Sequence, residues 1–286
     1  MARNTPEDVV VEAKAHVGEG PVWWANRLHW VELTLGRLHV TEVSTGADTV
    51  TEFGGVLGAV APSENGPWVA ITGNGFAVVN GDQLETLDPV TESPRYRMND
   101  GKCDRAGRFW AGSTAYGFPA GHGALHVWSG AASTRVDTGL TLPNGMGWSP
   151  DDAVFYLVDS YQHAIFAYDY CIDDGTVGSR RVLVSFDEAD GLPDGLAVDT
   201  HGALWVAFHG GGCLRRIDPD GKLMATIPMS VSQPTSCAFG AGTDLYVTSD
   251  RTGLNSAQLA DQPLAGSVFR LDAGVTGDPV APFRWS

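Results

Sequence analysis

Trp68-Val-Ala-Ile-Thr72, a short turn, then Gly75-Phe-Ala-Val-Val79 is the stretch whose reading decides the fold. Two short runs rich in β-branched and aromatic residues flank a glycine-bearing turn, which is the pattern of a β-hairpin. The unit recurs upstream as Leu28-His-Trp-Val-Glu32 with Gly36-Arg-Leu-His-Val40. Downstream it returns as Phe109-Trp-Ala-Gly-Ser113 with Gly123-Ala-Leu-His-Val-Trp128, then as Val154-Phe-Tyr-Leu-Val-Asp159 with His163-Ala-Ile-Phe-Ala-Tyr168. Leu204-Trp-Val-Ala-Phe208 with Gly212-Cys-Leu-Arg-Arg-Ile217, and Leu245-Tyr-Val-Thr-Ser249 with Gly266-Ser-Val-Phe-Arg-Leu271, complete the series. Six copies spaced by roughly 40–50 residues match the period of propeller blades. No long window carries the 3.6-residue period of an amphipathic helix. The expectation is an all-β, six-bladed β-propeller, with residues 1–286 as one domain. Two packed sandwiches are the rival, and the regular repeat favours radial closure. Asp173-Asp-Gly175 and Pro219-Asp-Gly221 lack the ligand series of a calcium loop and read as hairpin turns.

The bulk properties narrow the function classes. The 286 residues are 43% hydrophobic and 18% charged, enough apolar content for a full core. The 36 glycines suit many turns between short strands. A net charge of −16 without a basic stripe excludes a phosphate-backbone binder and argues against an anionic membrane surface. It fits ordinary solubility, and also a protein that concentrates cations. No apolar run approaches the ~20 residues of a membrane span. Met1–Glu12 is polar and lacks the apolar core of a secretory signal, so a cytoplasmic location is expected. Cys103, Cys171, Cys213 and Cys237 form no CxxC pair and are expected to be free thiols. The sequence is silent on oligomeric state, although a closed propeller can stand as a monomer.

A second repeat, just upstream of each aromatic run, carries the chemistry. It reads Glu19-Gly-Pro-Val-Trp23, Leu57-Gly-Ala-Val-Ala61, Asn99-Asp-Gly-Lys-Cys-Asp104, Pro143-Asn-Gly-Met-Gly-Trp148, Pro193-Asp-Gly-Leu-Ala-Val-Asp199 and Pro234-Thr-Ser-Cys-Ala-Phe239. The first strand of each propeller blade lines the central channel, so equivalent positions converge on the axis. That position holds Glu19, Asn99 or Asp100, Asn144, Asp194 and Thr235. One Asn-Gly or Asp-Gly is an ordinary turn before a strand; several at matched positions make a site. Oxygen ligands of this kind suit a hard cation such as calcium, magnesium or manganese.

Other chemistries lack their signatures. There is no GxSxG nucleophile elbow. The eight histidines contain no HExxH. His126 and His163 fall in or beside strand repeats as packing or surface residues. His209 follows a strand next to a glycine-rich turn and is a candidate for the channel rim. Gly73-Asn-Gly75 lacks the third glycine and the helix of a dinucleotide site. Trp23, Trp24, Trp30, Trp110, Trp148 and Trp205 mostly sit on the strand repeats and are expected in blade cores.

At these residues the chain resembles the senescence-marker-protein/gluconolactonase/regucalcin-like family. The matching segments are Gly18-Glu-Gly-Pro-Val-Trp23, Arg97-Met-Asn-Asp-Gly-Lys-Cys-Asp104, Leu142-Pro-Asn-Gly-Met-Gly-Trp-Ser149 and Leu192-Pro-Asp-Gly-Leu-Ala-Val-Asp199. Gly202-Ala-Leu-Trp-Val-Ala207, Thr235-Ser-Cys-Ala-Phe-Gly240 and Leu245-Tyr-Val-Thr-Ser249 follow in the family's order. The resemblance implies one divalent metal at the top of the channel, held by Glu19, Asn144 and Asp194. It allows zinc alongside calcium, magnesium or manganese. It also implies that Arg97 and Asn99 contact substrate, with Asp100 shaping the same wall.

The implied activity is hydrolysis of a small, aldono-type lactone by metal-activated water, with Asp194 as the general base. Organophosphate hydrolysis on the same site and a non-catalytic calcium-binding propeller are the alternatives. One departure matters. Several sugar-lactone members carry a carboxylate beyond the segment matching Ala111-Gly-Ser113, but the stretch through His122 contains no acid here. Tyr116 or His122 is the expected substitute, unless the substrate differs.

Overall fold

The computed structural model describes residues 7–91 and 93–285. Met1–Pro6, half of the polar N-terminal stretch, lie outside the described residues. Six small antiparallel sheets stand around a channel as the blades of a β-propeller. Blade 1 runs through Gly18–Trp24, Arg27–Glu32, Arg37–Glu42 and Ala47–Glu52. Blades 2 to 5 open with Leu57–Ala61, Tyr96–Cys103, Pro143–Trp148 and Leu192–Val198. Blade 6 opens with Pro234–Phe239 and continues through Asp244–Ser249 and Val268–Asp272. Its fourth strand is Asp8–Val11, which pairs antiparallel with Val268–Asp272. The N-terminus thus ties the last blade to the chain that enters the first.

Burial explains the two repeats. Inner strands such as Pro143–Trp148, and second strands such as Phe109–Ala115, are buried along their whole length. Both of their faces meet other strands, so their sequences run small and apolar rather than alternating. The outer strands Gln83–Pro89 and Leu223–Pro228 meet solvent on one face and alternate accordingly. Of the expected core tryptophans, Trp30, Trp110, Trp148 and Trp205 are buried between blades, whereas Trp23 and Trp24, at the end of the blade 1 inner strand, are only half-buried. All four cysteines are free. No helix among the described residues is long and apolar enough to cross a membrane.

Asp104 and Asp199 stand at equivalent places in blades 3 and 5, each six residues before a tryptophan. Trp110 Nε1 donates to Asp104 Oδ2 at 2.8 Å, joined by Arg108 Nε and the Tyr170 hydroxyl, each at 2.7 Å. Trp205 Nε1 donates to Asp199 Oδ2 at 3.0 Å, joined by Arg216 Nη2 at 2.6 Å. Both aspartates are wholly buried. A buried carboxylate is tolerated only when its oxygens are satisfied in this way. Asp104→Asn leaves Arg108 short of its charge partner and is expected to destabilise the fold by about 3 kcal/mol. That corresponds to a fall in Tm of roughly 6 °C or more. Urea unfolding of the variant beside wild type checks it.

The C-terminal segment shuts one end of the channel. Gly277 bridges to Asp199, and Phe283 bridges to Ser63 and stacks on Trp128. Asp278, Pro279, Val280 and Ala281 close over the C-terminal halves of the inner strands, leaving a cavity of about 110 Å³ above them. Glu19, Asn99, Asn144 and Asp194 sit in the N-terminal halves of the same strands and are reached from the opposite face, whereas Asp100 lines the cavity.

Candidate active site

Every inner strand slips register against its neighbour at the same level. The slips fall between Glu19 and Val22, Leu57 and Ala59, Met98 and Gly101, Pro143 and Met146, Pro193 and Leu196, and Pro234 and Ser236. A bulge of this kind bends the strand and re-aims the side chains beside it. The residues it re-aims are those at the matched repeat positions. The glycines beside them let the ring close. A Cβ on Gly145 would lie 2.3 Å from the Leu196 nitrogen, and one on Gly195 would lie 2.0 Å from Ser236 Oγ. Gly145 thus meets the next inner strand backbone to backbone, and Gly195 packs against the Ser236 side chain, so neither position has room for a side chain.

Glu19, Asn99, Asp100, Asn144 and Asp194 are all buried. Asn144 Nδ2 donates to Asp194 Oδ1 and, at 3.1 Å, to Ser160 Oγ. Its amide oxygen, Asn144 Oδ1, is buried with no hydrogen-bond partner. Glu19 Oε2 accepts the Gly20 N–H at 3.0 Å. Burial raises the Glu19 pKa well above the usual carboxylate range, and the charges of Asp194 and Asp100 add to the rise. Burial likewise pushes Asp194 up to about 8, with Asp100 and Asp250 adding and His209 opposing. Desolvated carboxylates that repel one another, next to an unsatisfied amide oxygen, make a set of oxygen donors of the kind that suits a hard cation.

Arg97 Nη1 donates to Asn99 Oδ1 at 2.6 Å and to the Met98 carbonyl at 3.0 Å, while Asn99 Nδ2 donates to the Pro143 carbonyl at 3.1 Å. The guanidinium is therefore locked to the wall beside the carboxylates, and it feels the charges of Glu19 and Asp194. Asp100 Oδ1 accepts the Gly101 N–H at 2.7 Å, with half-buried Lys102 next to it donating to the Leu196 carbonyl at 2.7 Å. His209 Nε2 lies 3.1 Å from Asp250 Oδ2. Burial would lower the His209 pKa, but the hydrogen bond to Asp250 and the charges of Asp250 and Asp194 leave it raised.

The structure thus brings Glu19, Asn99, Asn144, Asp194, Arg97 and His209 to one channel mouth, while Asp100 lies beneath them, lining the cavity under the C-terminal segment and acting on Glu19 and Asp194 through its charge. Tyr116 is exposed at that mouth, within electrostatic reach of Arg97. Two candidates point elsewhere. Thr235 Oγ1 donates to the Gly18 carbonyl at 2.5 Å and joins blade 6 to blade 1. His122 Nδ1 lies 3.1 Å from the Tyr96 hydroxyl, in a separate groove of about 520 Å³ that it shares with Ser113 and His126.

Asp250, Ser160 and Lys102 were not singled out by motif. A signal for Asp250 existed in the sequence. His209 and Asp250 match one another, each one residue beyond the position opposite the inner-strand proline of blades 5 and 6, whereas Glu32 and Asp159 end their second strands one step earlier. Two of the four stay structural: Asp159 accepts the Thr141 and Leu142 N–H groups, and Glu32 accepts the His16 N–H.

Residues 17–251 match the profile of the SMP-30/Gluconolactonase/LRE-like region. The chain belongs to this family. It is 35% identical to the regucalcin of Danio rerio, over 95% of this chain and 96% of that one. It is 36% identical to the pentonolactonase XacC of Haloferax volcanii, over 94% and 95% of the two chains. The crystal structure of a regucalcin from Agrobacterium tumefaciens, described as a calcium-binding protein, superposes with a TM-score of 0.93 at 24% identity, covering 98% of both chains. Membership supports a lactonase reading and a small-molecule substrate. Among the described residues no three His, Cys, Asp or Glu side chains converge as a metal cluster. Glu19 and Asp194 are only two such groups, and the third member of the set is an amide.

Proposed function

We propose that the protein is a divalent-metal-dependent hydrolase that opens a small lactone. The observation that carries this reading is the orphaned Asn144 Oδ1, facing a site it shares with the buried carboxylates of Glu19 and Asp194. Glu19, Asn144 and Asp194 would hold the metal. Calcium, magnesium and manganese suit their oxygens, and the neighbouring regucalcin's description as calcium-binding supports calcium first. When bound, the ion supplies Lewis-acid polarisation of a carbonyl and a more acidic water.

The chain's own residues divide the remaining work. Asp194, ionised once its charge is balanced, takes the proton from the attacking water and returns it to the ring oxygen as the C–O bond breaks. Asn144 fixes the Asp194 carboxylate through its amide N–H. Arg97, held by Asn99 and by the Met98 carbonyl, presents donors to the carbonyl oxygen that gains negative charge as the water adds. Arg97→Ala is expected to lower kcat/KM about 100-fold. Steady-state kinetics on a lactone that the wild type opens would check it.

The lactone reading is tested with aldonolactones, aliphatic lactones and a phosphotriester, each assayed before and after chelation. Chelator-sensitive turnover of a lactone, restored by a divalent ion, is the expected outcome. Turnover of the phosphotriester alone would redirect the site to organophosphates. Tight metal binding with no turnover would make it a calcium-binding propeller. Arg97 and Asn99 favour turnover, because metal binding by itself has no use for them.

A further inference from the structure

The mouth of the channel carries an aromatic feature that the proposed chemistry does not use. Phe118 and Tyr161 stack with ring centroids 4.8 Å apart and planes 23° from parallel. They come from different places: Phe118 from the blade 3 connection between Phe109–Ala115 and Gly123–Trp128, Tyr161 from the short turn Ser160–Gln162 in blade 4. Phe118 takes φ 51°, a left-handed conformation that bulky L-residues rarely adopt. A strained residue at a site mouth is held there by its surroundings and is a common mark of function.

Both rings are tied to the site beneath them. The Arg97 guanidinium lies 6.0 Å from the centre of the Phe118 ring while it donates to Asn99. Tyr161 directly follows Ser160, whose hydroxyl accepts from Asn144 Nδ2 at 3.1 Å. The turn that carries Tyr161 also packs beside the inner strand that bears Asp194. Tyr161 remains 44% exposed, so the stack keeps apolar surface open to an incoming molecule. The rim from Tyr116 to His122 offers no carboxylate, and His122 faces the separate groove. A site that selects hydroxyl groups needs buried donors and acceptors aimed at them, and this rim presents rings.

We infer that Phe118 and Tyr161 form a binding platform that selects lactones bearing an alkyl or aryl substituent over polyhydroxylated aldonolactones. This rests on the lactonase reading and narrows its substrate class. The ring ester lies over the Glu19, Asn144 and Asp194 set, and the substituent lies on the stacked rings.

The test compares γ-phenyl-γ-butyrolactone with xylono-γ-lactone on the metal-loaded protein. Wild type is expected to favour the phenyl lactone about tenfold or more in kcat/KM. Phe118→Ala and Tyr161→Ala are each expected to raise KM for the phenyl lactone about tenfold, with kcat moving less than about threefold, and to affect the xylonolactone less. A preference for the xylonolactone, or equal losses on both substrates, would overturn the platform. Calorimetric binding of the phenyl lactone separates the two readings. Binding that Phe118→Ala weakens, with no turnover of either lactone, would keep the platform and remove the lactonase. Neither binding nor turnover would overturn both.

Discussion

Asp194→Asn is expected to lower kcat/KM for lactone opening by at least ~10³-fold. The substitution keeps the shape of the side chain and leaves Asn144 a partner oxygen, so the local geometry is preserved. It removes the proton acceptor, a loss that alone accounts for roughly 10²–10⁴-fold in general-base catalysis. It also removes one of the two carboxylates proposed to balance the ion. Glu19→Gln separates these effects, because it removes the other charge and leaves the base in place. Metal content and single-turnover rates of the two variants decide the matter. Asp194→Asn with metal bound and a rate within tenfold of wild type would dismiss Asp194 as the base.

The second large effect is in stability. Without a cation, burial holds the Asp194 carboxyl protonated up to about 8, and Glu19 is raised in the same direction. In the unfolded chain an aspartate titrates near ~4. Between those values the folded protein keeps a proton that the unfolded chain has released. The contribution is therefore fully present below pH ~4, falls as pH rises, and is lost above about 8. The slope is about 1.4 kcal/mol per pH unit for one group. A divalent ion binds the ionised carboxylates and cancels this loss. The rise in Tm on adding metal to chelator-treated protein is thus small near pH 5. By pH 8 it is larger by about 4 kcal/mol, or roughly 8 °C. Thermal unfolding at both pH values, with and without the ion, measures it. An increment independent of pH would mean that the carboxylates are already ionised in the metal-free site.

Much of this site was legible before any coordinates. Glu19, Asn144 and Asp194 announce themselves because each precedes or replaces the same glycine-bearing step of a repeated strand. Arg97 and Asn99 lie on the third such strand. Thr235 occupies the same register, but its hydroxyl is consumed in holding blade 6 to blade 1, and pattern alone could not reveal that. His209 looked like one rim candidate among several histidines. Its role depends on Asp250, which arrives from the next blade. His122 fits the rim by position along the chain, yet the fold turns it toward Tyr96.

The sequence by itself determined the number of blades, the first three strands of each and the level at which polar groups enter the channel, but not that Asp8–Val11 closes blade 6. Each of these is a local property, repeated often enough for periodicity to expose it. Tertiary structure alone decided which side chains meet. The slips at six bulges aim the repeat residues inward, the approach of neighbouring strands leaves room only for glycine beside them, and the Phe118–Tyr161 stack joins two blades over the mouth. Contacts between blades depend on how the ring closes. Residues brought together that way share no spacing along the chain that a reading of one sequence could detect.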